Sequence, residues 1–246
     1  MRVAALYDVH GNIAALDAVL AEVDDAGVDA IVVGGDLVWG PFPRESIARL
    51  RELGDRARFV RGNSEREVAG RYDLIDGALA PAIVASTRWC AELLDEDELA
   101  FLGCLPEQIV LDVDGLGATL FCHATPRSDE EFVTRITPDD EVAPMLEGVD
   151  AGTVVCGHTH VQFDRTAGGK RLVNAGSVGM PLEDEPGAYW ALLGPDVELR
   201  RTSYDVAAAA ARIRSTDLPF EQFAEMLLEP PGAEASTRYF EDARHE

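Results

Sequence analysis

Residues 2–12 read Arg-Val-Ala-Ala-Leu-Tyr-Asp-Val-His-Gly-Asn, an apolar run that breaks off into a carboxylate, an imidazole, a glycine and an amide. A short apolar stretch closed by turn residues is the mark of a buried strand. Beyond it the period changes: Leu16, Val19, Leu20 and Val23 share one face of a helix over Ala14 to Val23. Ala30 to Val33 is a second buried strand, closed by Gly34-Gly35-Asp36. Pro43, tolerated in a first helical turn, opens a helix through Leu53, and Arg58 to Val60 is a third strand ending in Arg61-Gly62-Asn63. This alternation predicts an α/β layer fold whose strands deliver loops to one edge.

Further along, Glu65 to Leu102 carries helix formers and few turn signals, a helical insertion placed over that edge. Gln108–Val113, Asp114-Gly115 and Ala118–Phe121 predict a hairpin leading to Cys122-His123. Thr137-Pro138-Asp139-Asp140 has the cap, proline and acids of a helix start. Thr153–Cys156 is a strand running into Gly157-His158-Thr159-His160, and Val161–Thr166, Arg171–Asn174, Ala188–Leu193 and Val197–Thr202 supply more strands. Val206–Ile213 and Phe220–Leu228 are helical. No linker or repeat interrupts the chain, so one domain is expected over 1–230, with a core over 1–202, helices over 205–230 and a frayed acidic tail over 231–246.

At 246 residues the chain is long enough for a large core. Its apolar runs are far shorter than the ~20 residues of a membrane-spanning helix. The N-terminus meets charge and turn residues too early for a signal peptide, so a cytoplasmic protein is expected. Against 21 Lys+Arg stand 45 Asp+Glu, a formal charge of −24, and Lys170 is the single lysine. Such a field repels nucleic-acid backbones and anionic membranes, and neither is an expected partner. Cys90, Cys104, Cys122 and Cys156 form no CxxC pair and read as reduced core residues.

Four of the five histidines, His10, His123, His158 and His160, follow predicted strands directly; His245 does not. In Asp8-x-His10 two ligand types stand two apart, and on extended backbone such positions point the same way, so one ion can take both. Asp36 has two oxygens and can bridge two cations. Asn63 offers a neutral oxygen, leaving its NH2 free for a substrate oxygen. His158 and His160 repeat the i, i+2 pattern. Taken singly, each string is also ordinary turn chemistry.

In this order the strings resemble the calcineurin-like metallophosphoesterase superfamily, whose pattern D-x-H, G-D, G-N, H, G-H-x-H is met by Asp8, His10, Asp36, Asn63, His123, His158 and His160. The likeness spans about residues 1–202, and His123–Arg127 and Asn174–Pro181 look like its small bacterial and archaeal phosphodiesterases, the YfcE-like group. The resemblance implies two mixed β-sheets packed together and flanked by helices, an αββα sandwich. It also implies a hydrolase with two divalent transition-metal ions. Asp8, His10, Asp36 and His160 would hold one, and Asp36, Asn63, His123 and His158 the other, with a hydroxide bridging them. Asp36, Asn63 and His123 are the implied catalytic residues, and Asn63 and Arg127 the substrate contacts. Two divalent ions, two carboxylates and one hydroxide sum to a single positive charge, an anion trap in an acidic protein. Bound water falls from a pKa of about 15.7 toward about 7, which gives a nucleophile for in-line attack on a phosphodiester or phosphomonoester. Imidazoles with hard oxygens and no thiolate suit manganese, iron, zinc, nickel or cobalt better than magnesium or calcium, with manganese placed first.

Two departures narrow the reading. Many superfamily members carry a histidine after G-N; here Ser64 stands there, followed by Glu65. The arginine that protein phosphatases carry near Trp39-Gly40 is absent, which argues against a Ser/Thr phosphatase; Arg61, Arg66 and Arg127 are the candidate replacements. Trp39 is either core or a platform for an aromatic group, and Asn12 and Asn174 are expected to cap or brace. The rival class is a non-catalytic scaffold on the same fold. The expected partner is a small phosphoester substrate.

Overall fold

The computed structural model describes residues 1–71 and 81–244. Part of the helical segment expected over Glu65 to Leu102, and His245, lie outside the described residues. The strands are β1 (Val3–Leu6), β2 (Ala30–Val33), β3 (Ala57–Phe59), β4 (Gln108–Val113) and β5 (Gly117–Cys122), followed by β6 (Thr153–Cys156), β7 (Phe163–Ala167), β8 (Lys170–Asn174), β9 (Ala188–Leu193) and β10 (Val197–Thr202). The helices are α1 (Ile13–Ala26), α2 (Pro43–Arg51), α3 (Asn63–Arg66), α4 (Pro81–Leu93), α5 (Glu96–Gly103), α6 (Asp139–Val142), α7 (Val206–Ile213), α8 (Gln222–Leu228) and α9 (Ala233–Ala243). None is long and apolar enough to cross a membrane.

Two mixed sheets result, ordered β10-β9-β1-β2-β3 and β4-β5-β6-β8-β7. β1, β2 and β3 run parallel, as do β5, β6 and β8. The period of two sorts each strand between layers. Val3, Ala5 and Tyr7 meet Phe121, Val155 and Val173 of the other sheet, while Ala4 and Leu6 meet Leu16, Val19, Leu20 and Val23 of α1. Burial on both faces is why these strands read as unbroken apolar runs. On the far side Leu120, Cys122, Val154, Cys156 and Leu172 lie under Val142, Met145 and Leu146. The architecture is the sandwich of two mixed sheets flanked by helices that the motifs imply.

The sequence reading needs three corrections. The segment after Pro230-Pro231 is not frayed: it forms α9, whose Ala233, Ser236 and Thr237 are buried and whose Phe240 packs on Val161 and Leu182. Small and hydroxylated residues at helical spacing carry little apolar signal, and the local acids are matched by Arg244, which bonds Glu241 and Glu141 at 2.8 and 2.7 Å. Thr137 does not cap α6; its hydroxyl bonds Glu241 of α9, and Pro138 stands at the cap without a side-chain bond. Cys104 is exposed, whereas Cys90, Cys122 and Cys156 are buried.

Two buried side chains fix the loops that leave the strands. Tyr7, with its ring fully buried, donates its hydroxyl to the Val155 carbonyl at 2.9 Å and so ties one sheet to the other. Its ring occupies the space over two glycines: a Cβ at Gly34 would fall within the ring, and one at Gly157 would lie 2.6 Å from Tyr7 Cδ1. Close approach, rather than turn geometry, is what Gly34 supplies. Glu65 is the second pin. Its Oε2 accepts from the amides of Asp36 and Gly62 at 2.8 Å each, and its Oε1 from the amide of Leu37 at 2.7 Å. One carboxylate thereby joins the loops after β2 and β3. Burial, reinforced by the Asp36 charge, pushes this carboxyl up to about 7 despite the amide donors.

Gly34→Ala should lower the unfolding free energy by about 1–3 kcal/mol through overpacking. Gly152→Ala, where a Cβ meets nothing within 4 Å, should stay within about 0.5 kcal/mol. Urea unfolding compares the two, and equal stabilities would refute the close-packing role. Glu65→Gln turns an NH2 toward backbone donors and should cost about 1–3 kcal/mol in the metal-free protein. A wild-type melting curve for that variant would rule out the pin.

Candidate metal centre

The loops that follow β1, β2, β3, β5 and β6 meet at the carboxyl ends of the parallel strands, where open α/β sheets hold their ligands. Two groups of donor atoms form there, Asp8 with His10 and His160, and Asp36 with His123 and His158, the atoms of each lying within 4.8 Å of one another. In the first, His10 Nε2 stands 3.1 Å from His160 Nε2, and Asp8 Oδ1 3.4 Å from His160 Nε2. In the second, His123 Nε2 stands 3.2 Å from His158 Nδ1, 3.2 Å from Asn63 Oδ1 and 3.5 Å from Asp36 Oδ1. Asp36 Oδ2 reaches toward the first group, 3.7 Å from His10 Nε2. All seven residues expected to act as ligands are thus brought together, with Asp36 between the two groups.

The state of the imidazoles follows from their outer nitrogens. His10 Nδ1 faces the Trp39 carbonyl at 2.9 Å, His123 Nδ1 that of Gly34 at 3.0 Å, and His160 Nδ1 that of Met180 at 2.7 Å. His158 Nε2 faces the Glu130 carbonyl at 3.2 Å. A carbonyl only accepts, so each outer nitrogen carries a proton, and in the neutral ring each inner nitrogen presents a lone pair. Lone pairs 3.1 and 3.2 Å apart repel unless an electrophile lies between them. Asp8 Oδ1 is buried with no hydrogen-bond partner among the described residues. A buried, unpartnered carboxylate oxygen among inward lone pairs fits cations and little else.

Electrostatics point the same way. Burial, with His160 nearby, holds His10 below its ordinary pKa, and burial with His123 nearby takes His158 down to about 4. Both are neutral at pH 7 and free to donate to a metal. Burial also presses on His123, but the Asp36 and Asp8 carboxylates outweigh it and draw that ring upward. Asp8 and Asp36 fall below the usual carboxylate range although burial opposes this, because histidines face them and the Ser64 amide bonds Asp36 Oδ1 at 3.0 Å.

The backbone contradicts the extended geometry expected of the i, i+2 pairs. Asp8, His10, Asp36, His158 and His160 have φ of 53, 47, 53, 66 and 56°, and they are the non-glycine residues with positive φ among those described. Such left-handed residues cost of order 1–3 kcal/mol each and persist where the surroundings overdetermine them. Here the Leu37 and Asp36 carbonyls accept from the amides of Gly11 and His10, and the Asp8 carbonyl accepts from the Ser177 hydroxyl and the Gly179 amide. The left-handed turn sends His158 to one group and His160 to the other.

Other expected residues are placed differently. The Asn63 NH2 is not free; it bonds Glu67 Oε1 at 3.3 Å, which aims the amide oxygen inward. Glu67 is itself buried and pushed up to about 7 by that burial. Arg127 is half exposed and turned to Glu131 and the Pro144 carbonyl rather than to the centre. Arg61 pairs with Glu107, and Arg66 with Asp129 and Glu130. Trp39 is buried, with its ring 5.3 Å from Phe220 under α7 and α8. Asn12 caps α1, and Asn174 braces the Gly157 carbonyl at 2.7 Å. Sequence reasoning missed Tyr7, Glu65 and Glu67; a glutamate three residues after Gly62, in the capping-box position, was the available signal for Glu65.

Comparison with known proteins bears on the fold and the family. An uncharacterised protein of Methanocaldococcus jannaschii, MJ0912, is 28% identical over 238 residues, covering 88% of this chain and 93% of its own. A metallophosphoesterase from Sphaerobacter thermophilus superposes with a TM-score of 0.73 at 29% identity, covering 92% of this chain and 98% of that one. The hypothetical protein PH1004 from Pyrococcus horikoshii OT3 shares the fold with a TM-score of 0.82 at 21% identity, over 94% of this chain and 99% of that one. The family model of the calcineurin-like phosphoesterase superfamily domain matches residues 1–194, and the chain belongs to that superfamily.

Proposed function

We propose that the protein is a binuclear metal-dependent phosphoesterase that hydrolyses small phosphodiesters by in-line attack of an activated water. The observation that carries this reading is the set of four inward imidazole lone pairs around the unpartnered Asp8 Oδ1. Asp8, His10 and His160 would hold one ion and Asn63, His123 and His158 the other, with Asp36 shared. When bound, the ions would acidify a water to a nucleophile and take up charge on the phosphoryl oxygens. Asp36 sets their spacing. Burial of Asp8, His10, His123 and His160, all at most 5% exposed, keeps bulk water from their inner atoms. Cys122 and Cys156 are buried thiols pushed well above their ordinary pKa, and neither belongs to the donor groups. The donor set is therefore imidazole and hard oxygen, which suits manganese, iron, cobalt, nickel or zinc better than magnesium or calcium. A non-catalytic scaffold has no use for five strained donor residues aimed at one another.

The preference for diesters rests on what faces the leaving group. Ser64 is buried and bonds Glu65, so no acid stands at that position. The histidines of the centre each have one nitrogen on a carbonyl and the other inward. Without a proton donor at the position of Ser64, substrates whose leaving group departs unprotonated are favoured, since general acid catalysis contributes about 10²–10⁴-fold.

Elemental analysis should find about two transition ions per metal-loaded chain, and Asp36→Asn should abolish hydrolysis while leaving the fold intact. A chain that takes up no ion, or an Asp36→Asn variant of unchanged rate, would overturn the reading. Bis-p-nitrophenyl phosphate should exceed an alkyl phosphate monoester in kcat/KM by about 10²-fold or more. Comparable values would remove the argument from Ser64.

A further inference from the structure

Three of the four imidazoles are fixed by burial. His10, His123 and His160 are at most 5% exposed, and their carbonyl partners lie 2.7–3.0 Å away. His158 is different. It is only half-buried, and its carbonyl contact, to Glu130, is the longest of the four at 3.2 Å. Core packing does not hold this ring, so something else must.

That support is Phe132. Its ring lies flat on the His158 imidazole, with centroids 5.2 Å apart and planes 12° from parallel. Phe132 stands two residues from Glu130, so one short stretch supplies both the face on which the imidazole rests and the carbonyl that takes its proton. Residues 129–137 form no helix or strand, and side chains fix their course. Arg165 donates to the carbonyls of Arg135 and Thr137 at 2.8 and 2.7 Å, and Arg66 holds Asp129. The remaining clamp comes from α9: Glu241 accepts from the hydroxyls of Thr134 and Thr137, and Phe240 packs on Phe132 with centroids 4.9 Å apart. An imidazole with a cation on Nδ1 and a carbonyl on Nε2–H is electron-poor, and the electron-rich face of a benzene ring is the partner it prefers.

We propose that Phe132 is a positioning residue for His158, aiming Nδ1 at the second ion of the centre, and that α9 holds Phe132 in place through Phe240. The inference rests on the binuclear reading for the identity of the ligand, but not for the geometry of the ring. Chelator-treated full-length protein titrated calorimetrically with Co²⁺ at pH 8 should show two sites in the wild type. Phe132→Ala should weaken one of them about tenfold and leave the other within about twofold. Phe132→Tyr, which keeps the aromatic face, should restore it; Phe132→Leu, which keeps only bulk, should not. Phe240→Ala should weaken the same site to a lesser degree. Wild-type binding at both sites in Phe132→Ala, or equal rescue by leucine and tyrosine, would overturn the proposal. If Phe132→Ala fails to fold, the leucine and tyrosine variants decide the outcome between them.

A second measurement separates this inference from the reading beneath it. Long-range ¹H–¹⁵N spectra of the metal-free protein at pH 8 should show His158 protonated on Nε2 in the wild type and in Phe132→Tyr. In Phe132→Leu or Phe132→Ala the two tautomers should mix. Should the wild type take up no cobalt, the binuclear reading fails, yet this tautomer comparison still upholds or overturns the positioning role.

Discussion

Like polarity forced together in a dry space is the constraint around which this molecule is built. Two carboxylates, four imidazole lone pairs and an amide oxygen converge where hydrogen-bond donors are almost absent. Without cations such a cluster would push apart, and five of its residues already sit in a strained left-handed conformation. The surrounding fold supplies the opposing force. Two sheets are sewn together by Tyr7 beneath the cluster, and Glu65 gathers three amides from two loops beside it. The outer nitrogen of each imidazole rests on a backbone carbonyl, and the carbonyl of Asp8 is held by two donors. The rigidity is spent on holding donors in place before any ion arrives, so that little reorganisation remains when one does.

Much of this was legible in the sequence, for a reason that can be stated. A buried parallel strand needs an unbroken apolar run, and the residue that ends it is polar only where chemistry or a turn requires it. Asp8, Asp36, His123 and His158 each stand one to three residues past such a run, which is why the donors could be picked out one at a time. The backbone that carries them could not. Extended geometry would have pointed Asp8 and His10, or His158 and His160, the same way; the positive φ values send the second pair to different groups. Aspartate and histidine tolerate the left-handed region better than most residues, but residue type alone does not say which of them adopt it.

Long-range partners were the other blind spot. Asn63 was expected to leave its NH2 for substrate, yet Glu67, four residues on and just past the end of α3, claims it. Arg127 was itself an implied substrate contact but is captured by Glu131. Thr137 has the features of a helix cap, but α9, more than ninety residues later, takes its hydroxyl. The helix that does so was unreadable because its buried face is built from Ala233, Ser236 and Thr237, which local pattern treats as neutral. In each case a local rule was applied correctly and then outbid by a partner distant in the chain.

The acidic surface and the centre are connected through the arginines. With 45 acids against 21 basic residues, each arginine near the centre finds a carboxylate before it finds the substrate: Arg61 takes Glu107, Arg66 takes Asp129 and Glu130, and Arg127 takes Glu131. A protein of opposite charge balance could clamp a phosphoryl group with a guanidinium and leave the metals to activate water. Here Arg61, Arg66 and Arg127 are already paired with acids, and the protein's net field repels an anion at a distance. Under the binuclear reading, attraction for a phosphoester would come from the ions themselves, inside the last few ångströms, where burial would keep their charge from being screened. On that reading, affinity and chemistry reside in the same pair of ions, and the protein's part is to hold seven donor side chains still around them.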